Sequence, residues 1–220
     1  MENIYVDSVG MIGEGTYGQV TVNGVLTAKG SVTVERLEVD GAMNVDGTLS
    51  VSEAVIDGAC KILQDMHCQN LLVDGMTKVQ GNIKGRQIDV DGVLNVYGPK
   101  LEADRIKGDG VISVAGEVNA DEIVIEGLLY AKEVYGDKVM IHGSRNPFHK
   151  NYSEKINEKI QLIEATYVEL GNITVDEVNA QVIHLNRGSH IKKVDCTEKI
   201  VIERGAIVDE IAGNVEIIYA

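Results

Sequence analysis

From Val20 onward, apolar residues come in pairs separated by one polar residue: Val20/Val22, Leu26/Ala28, Val32/Val34, Leu37/Val39, Met43/Val45 and Leu49/Val51. A spacing of two puts both members on one face of a short strand. The first members of successive pairs are separated by 6, 6 and 5 residues, which closes a period of 17. The pattern continues through Ala54/Ile56, Cys60/Ile62, Met66/Cys68, Leu71/Val73 and Thr77/Val79, and on to Ile123/Ile125 and Val139/Ile141. A helix would need apolar steps of three and four in one stripe, which these pairs do not provide.

Glycine follows the same period. After Asp, Asn or Glu it stands at Gly24, Gly41, Gly58, Gly75 and Gly92, then at Gly110 and Gly127, in steps of 17 apart from one step of 18 that contains Pro99. Companion glycines stand six residues later at Gly30, Gly47, Gly81, Gly98 and Gly116. Such registered repeats indicate stacked units. The expected fold is all-β: a parallel β-helix of triangular coils of about 17 residues, three short strands and three corners to a coil. Equivalent residues would stack about 4.8 Å apart, with inward columns forming a narrow apolar rod. At the corners, glycine is expected to supply a positive φ, and the Asp or Asn before it to hydrogen-bond the turning backbone.

The period sets the organisation. Residues 1–143 read as a β-helix array of about seven coils, and 144–159 as a polar, basic insert. Residues 160–220 read as a further two to three coils, with inward pairs that include Ile173/Val175, Ala206/Val208 and Ile211/Gly213 and with Gly171, Gly188 and Gly205 again 17 apart. Within "SEKINEKIQLIEA", Ile156, Ile160 and Ile163 suggest one short helix, so the insert reads as an arm with a helical part. In the second array glycine falls three residues after an inward position, as in "NRG" and "ERG", so its corner chemistry differs from the first. One continuous rod with an inserted arm is the favoured arrangement; a second β-helix folding back is the alternative.

Composition fits a thin core. Among 220 residues there are 24 glycines, two prolines, one Phe and no Trp. A three-strand coil has room for Val, Ile, Leu and Ala but little for large aromatics. The net charge of −14 disfavours unaided nucleic-acid binding, which needs Lys and Arg on phosphates, and attraction to anionic lipid. Three cysteines do not suggest a disulfide framework. No basic start followed by an apolar stretch marks a signal peptide, and no apolar run is long enough to span a membrane, so the cytoplasm is the expected compartment.

Repeats such as "VTVNGVLTAKG", "LEVDGAMNVDG" and "IDVDGVLNVYG" resemble the bactofilins, bacterial polymer-forming cytoskeletal proteins. The resemblance covers roughly residues 17–143 and, more loosely, 160–220. It is a match of repeat grammar rather than of a catalytic signature. It implies a right-handed β-helix, filaments assembled without nucleotide, and roles in cell shape and in localising envelope enzymes. The insert and second array depart from the usual pattern, as does the lack of proline-rich tails, which leaves peripheral membrane association open.

Both termini alternate like strands, "MENIYVDSVGMIG" at one and "GNVEIIYA" at the other. Unpaired strand edges template pairing with another chain, and a contact that does not close builds a filament. The expected function is therefore a non-enzymatic, self-assembling scaffold that joins copies of itself through its ends, with no cofactor and with cell-envelope proteins as further partners. The alternatives are a β-helix acyltransferase-like enzyme and a monomeric binding module that uses the 144–159 insert. Acyltransferase hexads sum to 18, which the 6-6-5 rhythm fits less well.

Candidate chemistry is sparse. Cys60, His67 and Cys68 do not converge, because the cysteines fall inward and His67 outward. His142, His149, His184 and His190 have no nucleophile or carboxylate at a diagnostic spacing and read as surface residues. Asp40, Asp57, Asp74, Asp91 and Asp109 are in register and form a possible carboxylate ladder for divalent cations, with solvated turn-capping as the simpler reading. For partner binding, the insert offers Arg145, Phe148, His149, Lys150 and Tyr152, a basic and aromatic set suited to an acidic surface.

Overall fold

The computed structural model describes residues 1–144, 160–213 and 215–220. Two compact units divide the chain, Met1–Asp104 and Arg105–Ala220. Each is a β-solenoid of parallel strands, and no helix occurs among the described residues. Residues 145–159, with the expected partner-binding set Arg145, Phe148, His149, Lys150 and Tyr152, lie outside the described residues.

In the first unit, β1 (Glu2–Val6) pairs with β2 (Val9–Val22), and β2 with β3 (Val25–Val39). The next coils comprise β4 (Ala42–Val45), β5 (Leu49–Ile56), β6 (Ala59–Ile62), β7 (Met66–Val73) and β8 (Met76–Val79). After them come β9 (Ile83–Lys84), β10 (Gln87–Val90), β11 (Val93–Val96) and the start of β12 (Lys100–Gly108). Registers run coil to coil along three columns. One column, for example, stacks Val25, Ala42, Ala59, Met76 and Val93. Another stacks Leu37, Ala54, Leu71 and Ile88.

The inward pairs read from sequence between Val20 and Val96 are buried throughout. Full burial of one Val, Leu or Ile contributes about 1.5–3 kcal/mol, so the columns are the main source of stability. In the first coil, glycine replaces larger inward residues, and Tyr17 sits in register with inward Val34. The Tyr17 hydroxyl donates to the Gly13 carbonyl at 3.0 Å, laying the ring beside Gly15.

The repeating corners differ from expectation. Gly24, Gly41, Gly58, Gly75 and Gly92 do not have left-handed φ. Their corners are built by main chain: the N–H groups of Asp57 and Gly58 both donate to Val39 O, at 3.0 and 2.8 Å, and Ala59 N–H donates to Gly41 O at 2.9 Å. The same three bonds recur at 40–42, 74–76 and 91–93. This draws the corners so close that a Cβ on Gly58 would collide with the Gly41 carbonyl, and one on Gly75 with that of Gly58. Glycine is required here because backbones touch, not because φ is unusual. At another corner, side chains extend the ladder: Asp65 Oδ1 accepts from Asn82 N–H at 2.7 Å, and Asn82 Oδ1 from Lys100 N–H at 3.0 Å.

The second unit contains β13 (Val111–Val114), β14 (Glu117–Ile125), β15 (Leu128–Tyr130) and β16 (Glu133–His142). Past the insert come β17 (Ile160–Gly171), β18 (Thr174–Leu185), β19 (His190–Ile202), β20 (Ile207–Ala212) and β21 (Glu216–Tyr219). β16 pairs in parallel with β17, Glu133 against Leu162 through His142 against Gly171, so the coils beyond the insert stack on those before it. Ile160 and Ile163, expected on a short helix, are buried inward residues of β17. The ladders with β16 and β18 override the local 3-and-4 spacing.

Corners in this unit do use left-handed backbone. Gly188 has φ 84° and Gly205 has φ 94°, each the third residue of a turn closed by Ser189 N–H to Asn186 O or by Ala206 N–H to Glu203 O. Asn172 takes φ 51° at the shorter corner before β18. Ile173, expected to point inward, lies half-buried at that corner, and Val175 takes the core position. Ala206, Val208 and Ile211, also expected inward, are half-buried, and Gly213 is exposed.

Candidate functional site

In the first unit, Asp40, Asp57, Asp74 and Asp91 occupy equivalent exposed corners. Partial desolvation, followed by the charges of Asp57, Asp91 and Asp89, holds the Asp74 carboxyl above its ordinary value. The ladder is therefore one of mutual repulsion. Asp109 is the matching acidic position in the second unit. Cys60 and Cys68 are buried, and burial pushes both thiols up to about 12, so they are not nucleophiles at neutral pH. His67 is exposed between them in sequence. Beside Cys68 runs an open groove of about 380 Å³, with Ser50, Ser52, His67, Lys84 and Arg86 on its walls. Its cations are already paired, Lys84 to Glu102 at 2.8 Å and Arg86 to Asp104 at 3.4 Å.

A polar cluster lies in the second unit, on the outward face made by β16, β17 and β18. His142 ends β16, and its register partner is Gly171, which has no side chain. A Cβ at Gly171 would lie 2.8 Å from His142 Cδ2, so only glycine lets the imidazole lean across the next coil. His142 thereby reaches Asn186, just after β18, with Nε2 3.0 Å from Asn186 Nδ2. Glu169 on β17 closes the triangle: its Oε1 lies 3.2 Å from His142 Nε2 and 3.0 Å from Asn186 Nδ2. The other carboxylate oxygen accepts from the Tyr167 hydroxyl at 3.0 Å.

Burial acts to raise the Glu169 carboxyl, but hydrogen bonds from Asn186 and Tyr167, with His142 and His184 nearby, outweigh it and leave the group below its ordinary value. His184 is the register partner of Glu169, and its Nε2 lies 3.6 Å from Glu203 Oε1. His190 on β19 makes a separate pair with Asp209, at 3.0 Å. Among the described residues, no three His, Cys, Asp or Glu side chains converge to hold a metal ion.

Spacing alone leaves His142 and His184 as surface residues and does not single out Glu169 or Asn186. The three members of the triangle are 27 and 17 residues apart, separated by the insert, and no local motif joins them. The one available signal was Gly171, a glycine directly after an inward leucine. No helix among the described residues is long and apolar enough to cross a membrane. Comparison with family models, curated proteins and solved structures gave no match.

Proposed function

We propose that this protein is a non-enzymatic, self-assembling cytoplasmic scaffold of the polymer-forming kind its repeats resemble, in which copies join by adding coil to coil. The observation that carries this reading is apolar surface at positions sealed elsewhere. Ile217 and Tyr219 are the register partners of buried Ile200 and Ile202, yet they are 40% and 76% exposed. In the first unit, Val9 and Met11 on β2 are 82% and 69% exposed, but they face outward beside Val25, itself 41% exposed, and add apolar flank rather than an unsealed core position. A parallel coil laid against such surface gains main-chain hydrogen bonds and buries apolar side chains together. Short corners and ion pairs such as Lys29–Asp46 (2.9 Å) and Lys193–Glu177 (2.9 Å) keep the remaining surface polar.

Electron microscopy and sedimentation of the purified chain test the reading. Filaments or concentration-dependent oligomers are expected, and they should be lost when Ile217 and Tyr219 are both changed to Lys. A monodisperse monomer at high concentration would overturn the scaffold reading. Assembly that survives the double variant would move the interface away from β21.

A further inference from the structure

With Glu169 ionised, the triangle of His142, Glu169 and Asn186 cannot be satisfied by placing protons. If His142 Nε2 carries hydrogen, it donates to Glu169 Oε1 but meets the Asn186 amide donor at 3.0 Å. If it is bare, it accepts from Asn186 but sets a lone pair against the carboxylate at 3.2 Å. Turning the amide, whose O and N positions are interchangeable, places its oxygen against Glu169 Oε1 at 3.0 Å. With an ionised carboxylate, every arrangement sets one edge like against like.

A metal ion resolves all three edges. With the amide turned, the atoms at the vertices are an imidazole nitrogen, a carboxylate oxygen and an amide oxygen, each offering a lone pair. In a six-coordinate site, bonds of about 2.1 Å meeting near right angles place ligand atoms about 3.0 Å apart. The observed edges are 3.2, 3.0 and 3.0 Å.

From this geometry we propose that His142, Glu169 and Asn186 form a binding site for a first-row divalent transition-metal ion, such as Zn²⁺ or Co²⁺, with water completing the coordination. Imidazole favours these ions over Mg²⁺ and Ca²⁺. The surroundings suit the role. The Tyr167 hydroxyl holds the second oxygen of Glu169, the outer-shell orientation that metal carboxylates use. Gly171 keeps the space between His142 and Asn186 clear. The side chains of His142 and Glu169 are 32% and 19% exposed, open to an ion yet shielded on the protein side. His184, the nearest further imidazole, leans to Glu203 rather than into the triangle.

Such a site would bind its ion across three coils, on both sides of the insert, and it stands independently of self-assembly. The test is titration of the full-length chain with Co²⁺, followed by visible absorption, and with Zn²⁺, followed by calorimetry. One equivalent is expected. His142→Ala and Asn186→Ala should each weaken binding about tenfold or more. Asn186→Asp, which adds a carboxylate at the same vertex, should tighten it. His190→Ala, which removes the separate histidine–aspartate pair, should leave it unchanged. Circular dichroism of each variant separates lost binding from lost fold, and Asn186→Asp reads the site even if an alanine variant fails to fold. No binding at millimolar ion, or binding that His142→Ala and Asn186→Asp both leave unchanged, would overturn the proposal.

Discussion

The two units make the same kind of coil with different corners. In the first, the Asp-Gly corners leave backbone in ordinary conformations but pack it against the corner of the preceding coil, with consecutive N–H groups sharing one carbonyl. In the second, the corners at 186–189 and 203–206 are turns that depend on left-handed Gly188 and Gly205. Glycine is conserved in role, the absence of a side chain, but not in reason. The Asp-Gly corners of the first unit need space between coils, as Gly127 in the second still does, whereas the corners at Gly188 and Gly205 need a dihedral angle. From Gly24 to Gly92 the steric corner recurs every 17 residues. Coil length varies in the second unit: Ile163 stacks on Val178 at 15 positions across the short Asn172 corner, and Ile200 on Ile217 at 17 across the Gly205 turn.

The sharpest way to break this comparison is one methyl group in each unit. Gly58→Ala drives a Cβ into the Gly41 carbonyl, and neither backbone has anywhere to move. A destabilisation of about 3 kcal/mol or more is expected, at the upper end of overpacking costs, read by urea denaturation. Gly205→Ala meets only the flexible Arg187 side chain, at 3.1 Å, so its cost is the left-handed φ alone, about 1–2 kcal/mol. Gly205→Asn should cost less than Gly205→Ala, whereas Gly58→Asn should be at least as damaging as Gly58→Ala. Equal responses to Asn and Ala at both sites would erase the distinction.

How much of this was legible beforehand follows the same division. Inward columns are set by period 2 within strands and period 17 between coils, and both periods are visible in residue types; Cys60, Thr77 and Leu94 fall in one column because of that spacing alone. The reason for the glycines was not legible, since a close approach and a positive φ ask for the same residue. Ile160 and Ile163 misled because two apolar residues three apart satisfy a helix locally, and only the neighbouring strands decide otherwise. The His142–Glu169–Asn186 triangle was hidden by the insert, which makes the coil-to-coil step there unlike any other.

The core column of the first unit supplies a smaller, opposite effect. Thr77 sits inward between Cys60 and Leu94, fully buried, and its hydroxyl has no hydrogen-bond partner. Thr77→Val keeps the shape and removes an unpaired polar group, so a stabilisation of about 1 kcal/mol is expected. Thermal melting of the variant checks this. A lower melting temperature would mean that the hydroxyl is satisfied and that the column is not purely apolar.

The smallest expected effect separates the units by sign. Glu169 has its carboxyl lowered in the folded chain, so its contribution is present above its unfolded pKa and is lost as pH falls through the folded value. Asp74 is raised, so its contribution is present below its unfolded pKa and is lost as pH rises through the folded value. Mild acid should therefore loosen β17 and β18 at Glu169 while relieving repulsion along the Asp57–Asp74–Asp91 corners. Hydrogen exchange across the acid range, corrected for intrinsic rates, should show protection falling first in peptides from 160–185 and holding in those from 66–96. Glu169→Gln should flatten the first response and Asp74→Asn the second. If both regions lost protection together in the native chain and in both variants, acid stability would belong to the general charge balance and not to these two carboxylates. The exposed corner of Asp74 makes its share the weaker of the two, because solvent screens most of the repulsion between its neighbours.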